Sequence, residues 1–247
     1  MTCAYGAFAE VYDKFMSGSP PRKWADYIEK IWDEYDAKPK LVVDLACGSG
    51  RVTRELAKRG RDMIGVDSST EMLSEARRKK SPKDARILYL CQDMRELDLY
   101  GTSDSIVCLC DSINYIVDRG DLSRVFGLVR TFLNPGGIFV FDINSVYKYE
   151  RVLKNNSFSG VYDDAAYIWE NNYDKKTGLN EYYVTFFVKF GDKYERFDER
   201  HIQKAYEADE IAVLLAGAGF SDIRRYGAFK LTSPEKDDER IFFAAVK

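Results

Sequence analysis

Val42-Val43-Asp44-Leu45-Ala46-Cys47-Gly48-Ser49-Gly50-Arg51-Val52-Thr53 is an apolar run entering a glycine-rich turn that opens a helical pattern. Such a turn lets backbone approach a ligand closely. A dinucleotide fingerprint would carry a third glycine where Thr53 stands, and would not end its strand on an acid. Beside Asp44 a pyrophosphate is badly placed, whereas an ammonium group is welcome, with the turn's amides and carbonyls meeting an amino-acid moiety.

Working outward, the next strand ends at Val66-Asp67-Ser68, and Asp67 stands 23 residues beyond Asp44. That is close to the roughly 20 expected between a glycine loop and a carboxylate that accepts from both ribose hydroxyls. A third strand ends at Leu90-Cys91-Gln92-Asp93-Met94, where Asp93 could accept from an exocyclic amine while Met94 packs on an adenine. A fourth ends at Cys110-Asp111-Ser112-Ile113-Asn114-Tyr115. Four polar strand ends on the edge where open α/β sheets bind ligands describe an adenosine with an amino-acid tail. The expected contacts are Asp44, Ala46, Cys47, Gly48, Ser49, Gly50, Asp67, Ser68, Met72, Asp93, Met94, Cys110 and Asp111.

The surrounding pattern alternates strand and helix: strand 41–45, helix 51–59, strand 62–66, helix 70–79, strands 86–90 and 104–110, helix 121–132, strand 137–143. This implies an α/β fold with a doubly wound, mainly parallel sheet. Two short helices are read before it, from Tyr5, Phe8, Tyr12 and Phe15 and then from Trp24, Ile28 and Ile31. Beyond Asn144 helical periodicity lapses into β-rich segments around a hairpin loop, Asp174-Lys175-Lys176-Thr177-Gly178. We therefore expect a core of residues 1–144 and 207–247 with an inserted antiparallel β lobe, 145–206, on the substrate side. A helix at 207–218, strands near 221–229 and 241–246, and a solvated charged loop from Glu235 to Arg240 complete the core.

Composition narrows the partners. The chain has 247 residues, 45% hydrophobic and 31% charged with 6 Pro, as a globular protein does. A net charge of -3 offers no general attraction to nucleic acid or anionic lipid, and no apolar run approaches the roughly 20 residues of a membrane span. The first residues lack a basic segment followed by an apolar one, so a reducing cytoplasm is the expectation. Cys3, Cys47, Cys91, Cys108 and Cys110 form no C-x-x-C pair and read as free thiols. With His201 the only histidine, no nitrogen-rich metal site is expected.

Asp44-x-Ala46-Cys47-Gly48-Ser49-Gly50 resembles the first motif of class I S-adenosylmethionine-dependent methyltransferases, D-x-G-C-G-T-G, with Ala46 and Ser49 as departures. Asp67, Asp93-Met94 and Asn134-Pro135-Gly136-Gly137 match that family's later landmarks, so the resemblance covers 41–143. Outside it, Tyr5, Tyr12-Asp13, the β lobe, Glu199-Arg200-His201 and Gly219-Phe220 resemble a bacterial small-molecule subgroup. The resemblance implies a Rossmann-like sheet of seven strands with an antiparallel final hairpin. It implies S-adenosylmethionine as cofactor, S-adenosylhomocysteine as product, and in-line methyl transfer to N or O of a small-molecule acceptor by a monomer or homodimer. Tyr12 and Trp24 would then cover the pocket and bring aromatic surface near a sulfonium. Candidate catalytic residues are His201, of the residue type suited to proton transfer at neutral pH, and Asp111 and Asn114 beside the fourth strand. The alternatives are a non-catalytic S-adenosylmethionine-binding protein and a nucleic-acid methyltransferase. The latter lacks its Asn/Asp-Pro-Pro-aromatic motif here.

Overall fold

A computed structural model describes Gly18, residues 20–80 and residues 85–247. Tyr12 and the other aromatic residues of the first stripe lie outside them. Five strands, β1 (Leu41–Leu45), β2 (Asp62–Asp67), β3 (Ile87–Cys91), β4 (Ser103–Cys108) and β5 (Leu133–Asn144), are parallel, and β11 (Arg240–Val246) joins β5 antiparallel with β10 (Ser221–Gly227) outside it. The order β10-β11-β5-β4-β1-β2-β3 reverses direction between β1 and β4, so a crevice opens at their carboxyl ends. β1 is apolar at every position but Asp44, because both of its faces are covered. Helices α4 (Arg119–Thr131) and α5 (Ala208–Gly217) pack over Val43, Leu45, Phe139 and Phe141. On the other face α1 (Pro21–Glu34) and α2 (Arg51–Lys58) bury Trp32, Ile28 and Leu56 against Val42, Val107 and Val140.

Local signals set the helix starts. Pro21 opens α1, Asp118 accepts from Asp121 N at 2.9 Å to open α4, and Ser69 Oγ accepts from Met72 N at 3.1 Å to open α3 (Thr70–Arg78). The sequence Asn134-Pro135-Gly136-Gly137 is a bulge inside β5 rather than a turn before it. Ser103 pairs with Leu133 but Ser105 with Ile138, and Gly137 has no room for a Cβ, which would lie 2.9 Å from Asn134 O.

The insertion holds a four-stranded antiparallel meander, β6 (Ser157–Val161), β7 (Ala165–Asp174), β8 (Leu179–Phe190) and β9 (Lys193–Lys204). Asp174 faces Leu179 across the expected hairpin loop, with Gly178 at φ 68. The lobe touches the core on one side and its own entry segment on the other. Phe186 and Val188 close on Met72 in the first turn of α3, while Tyr173 closes on Tyr149 and Leu153 of a π-helical turn, Lys148–Leu153. No helix among the described residues is long and apolar enough to cross a membrane.

Candidate active site

The turn after β1 alternates left-handed residues, Ala46 at φ 59, Gly48 at φ 54 and Gly50 at φ 69. It is pinned by Cys47 N donating to Val66 O at 2.9 Å and Gly50 N to Cys47 O at 3.0 Å. A Cβ at Gly50 would collide with the Tyr89 hydroxyl, whereas one at Gly48 would meet open space, the room a ligand needs. Asp67 joins the first two strand ends: its Oδ2 accepts from Gly48 N at 2.7 Å and its Oδ1 from Ser69 N at 2.9 Å. Each oxygen keeps a lone pair for a hydroxyl. Burial pushes this carboxyl above its usual range, against the opposing pull of those amides.

A cavity of about 190 Å³ opens there, lined by Leu45, Ala46, Asp67, Ser68, Gln92, Asp93, Met94, Arg95, Tyr115 and Ile116. It brings together Ala46, Asp67, Ser68, Asp93 and Met94 of the expected contacts. Ser69 rather than Ser68 caps the helix, and Ser68 stands on the cavity rim. Asp93 has a structural task as well: it accepts from Arg95 N at 2.8 Å and from Arg95 Nε at 3.0 Å, and that arginine holds its carboxyl below the usual range.

Beneath the turn Asp44 is buried and accepts from Thr53 Oγ1 at 2.5 Å. Thr53, in the place of a dinucleotide motif's glycine, thus anchors the strand-end acid. Burial raises the Asp44 carboxyl to about 7, opposed by the Thr53 hydrogen bond and reinforced by Asp67. Ser49 is buried, with its carbonyl accepting from Arg54 Nη1 at 2.7 Å. Burial also pushes the Cys47 and Cys110 thiols up, away from thiolate chemistry.

At the ends of β4 and β5 the structure corrects one expectation. Arg240 is no member of a solvated loop: its side chain is 15% exposed, bonded to Asp142 through Nη1 and to Asp111 Oδ1 at 2.8 Å through Nη2. Burial opposes its charge, and Asp142 and Asp111 outweigh that. Asp111 Oδ2 further accepts from Gln203 Nε2 at 2.8 Å, and Gln203 Oε1 from the Tyr149 hydroxyl at 2.9 Å. Trp24 packs 5.1 Å from Phe229 and 5.7 Å from Phe242, with the Arg240 guanidinium 5.2 Å above its ring. Asn114 is fully buried, its Oδ1 accepting from Asn144 N at 2.9 Å and its Nδ2 donating to Lys204 O at 2.8 Å. Trp24, Met72, Asp111 and Asn114 therefore stand outside the lining of the cavity.

His201 is buried on the lobe's inner face, 3.1 Å from Glu199 Oε2, 3.4 Å from the Tyr115 hydroxyl and stacked on Tyr182 at 4.7 Å. Tyr182 and Glu199 had no place among the expected site residues. Their signal is the β8–β9 register, which sets Tyr182 opposite His201 and puts Glu199 two residues away on the same face.

Comparison with known proteins agrees with this geometry. A family model described as a methyltransferase domain matches residues 42–137. The methyltransferase-family protein YqeM of Bacillus subtilis (strain 168) is 37% identical over 98% of this chain and 97% of its own. A glycine/sarcosine N-methyltransferase of Halorhodospira halochloris is 27% identical over 83% of this chain and 75% of its own. The crystal structure of an S-adenosylmethionine-dependent methyltransferase from Clostridium acetobutylicum ATCC 824 superposes with a TM-score of 0.88 at 36% identity, covering 98% of each chain. This chain belongs to the class I S-adenosylmethionine-dependent methyltransferases.

Proposed function

We propose that the chain transfers a methyl group from S-adenosylmethionine to an N or O atom of a small molecule held between the strand ends and the β lobe. The observation that carries this is the Asp67 carboxylate, fixed by the Gly48 and Ser69 amides at the wall of a cavity that also holds Asp93 and Met94. These residues fit the donor: Asp67 toward ribose, Asp93 and Met94 toward adenine, and Asp44 as a buried acid under the turn for an ammonium end. Bound there, the donor supplies an electrophilic methyl carbon on a sulfonium. The chain's part is to align the acceptor and exclude water, which the lobe serves by closing on Met72 and reaching Asp111 through Gln203. The likeness to a glycine/sarcosine N-methyltransferase supports a small acceptor. The free thiols Cys47, Cys91, Cys108 and Cys110 suit a reducing cytoplasm.

Calorimetric titration with S-adenosylmethionine, S-adenosylhomocysteine, NAD and NADP tests the donor site. Both sulfur nucleosides should bind, and Asp67→Ala should weaken both by about 2–3 kcal/mol; binding of a nicotinamide cofactor alone would overturn the reading. Formation of S-adenosylhomocysteine on addition of small amines or phenols then separates an enzyme from a binding protein.

A further inference from the structure

The lobe lowers one connected set of polar side chains onto the donor cavity. His201, with its side chain 3% exposed, has Nε2 at 3.1 Å from Glu199 Oε2 and Nδ1 at 3.4 Å from the Tyr115 hydroxyl. The Tyr115 and Tyr182 hydroxyls are hydrogen-bonded to each other. Among the described residues, the titratable groups on the imidazole are Glu199 from β9, Tyr182 from β8 and Tyr115 from the turn after β4. Of these only Tyr115 also lines the cavity that holds Asp67 and Asp93.

The direction of each hydrogen follows. A carboxylate only accepts, so Glu199 fixes the ring proton on Nε2 and leaves Nδ1 of the neutral ring as an acceptor. In the relay proposed below, Tyr115 donates to Nδ1 and its oxygen accepts from Tyr182. The Trp169 indole, 5.7 Å from Tyr182, has a buried N–H with no partner among the described residues, a donor that a ligand oxygen would satisfy.

We propose that Tyr115, backed by His201 and Glu199, takes the proton that the methyl acceptor must lose, so that the reacting atom arrives protonated, as an ammonium or a hydroxyl. This rests on the methyl-transfer reading above. The acceptor's proton passes to the Tyr115 oxygen as the phenolic proton moves to His201 Nδ1, and Glu199 holds the resulting imidazolium. The freed electron pair on the acceptor forms the bond to the methyl carbon as the carbon–sulfur bond breaks, its electrons going to sulfur. The imidazolium then returns its proton to solvent. Tyr115 meets the substrate, whereas His201 and Glu199 are positioning residues that act through it.

The single histidine allows a direct test on the whole chain by ¹⁵N NMR of the ring nitrogens. The proton should reside on Nε2 in the wild type, and Glu199→Ala should shift the ring toward the Nδ1–H form. A wild-type ring protonated on Nδ1 overturns the relay. Turnover is followed with glycine and sarcosine as amine probes and catechol as the hydroxyl probe, from about pH 6 to about pH 9. Tyr115→Phe and His201→Gln should lower kcat roughly 100- to 1,000-fold near pH 7, with a loss that shrinks about tenfold per pH unit as the acceptor deprotonates in solution, and S-adenosylhomocysteine affinity unchanged. Unchanged rates, a loss equal at every pH, or turnover of neither probe class overturns the proposal, and the probe that reacts tells ammonium from hydroxyl. Failure of wild type to bind S-adenosylhomocysteine would sink the methyl-transfer reading; binding with the wrong tautomer sinks the relay alone.

Discussion

Asp44 at the end of β1 and Asp142 near the end of β5 are both carboxylates taken out of water, two strands apart in one sheet, and the chain treats them differently. Asp142 receives a cation from within, Arg240, which Asp111 shares. Among the described residues Asp44 receives the Thr53 hydroxyl and backbone amide, both neutral, and burial leaves its carboxyl near 7. A buried carboxylate whose counter-charge is built in belongs to the scaffold; one without it is completed when a cationic group arrives.

The largest effect should come from removing the built-in cation. Arg240→Met leaves Asp111 and Asp142 facing each other without compensation, and urea denaturation should show a loss of about 3–5 kcal/mol. A change below about 1 kcal/mol would put both strand ends on the same footing. Next, Asp67→Ala removes two charge-assisted acceptors from the ligand side, and donor binding should weaken by about 2–3 kcal/mol while the fold holds.

Asp44 gives an effect of similar size with a distinctive sign. Its folded value lies above that of an unfolded aspartate, so the folded chain binds more protons between about pH 4 and pH 7. The stability from this group is complete below that window and is lost as pH rises through about 7. Asp44→Asn should therefore gain on the wild type by about 2–3 kcal/mol between pH 5 and pH 8, and a difference that ignores pH would show the carboxylate already ionised in the fold. Binding of an ammonium-bearing donor near pH 6.5 should release protons in wild type alone, read as a dependence of calorimetric heat on the buffer. Smallest, Thr53→Val should cost about 1 kcal/mol and raise the Asp44 carboxyl further, extending the same pH dependence to higher pH.

The donor side was legible because its determinants are local. Asp67, Asp93 and the glycine turn sit at ends of apolar strands whose order in the chain is their order at the sheet edge. Arg240 was not, since only the β5–β11 pairing brings it to Asp142, and the five residues before it are all charged. β9 hid its role for a related reason. Its inward positions are Phe197, Glu199, His201 and Gln203, so no hydrophobic alternation marks the buried face. The β8–β9 hairpin register is needed before Tyr182 meets His201. Ser69 and Ser68 are adjacent hydroxyls with equal capping propensity, and the helix start decided between them.

Asn114 fastens the outgoing chain at Asn144 and the returning chain at Lys204 with the two ends of one amide. The whole lobe thus leaves and re-enters the sheet through a single clasp. A segment fastened in that way can be lengthened, shortened or grafted from a cousin without rewiring the parallel strands. Descent can therefore rework the lobe while the glycine turn and Asp67 of the sheet are inherited intact.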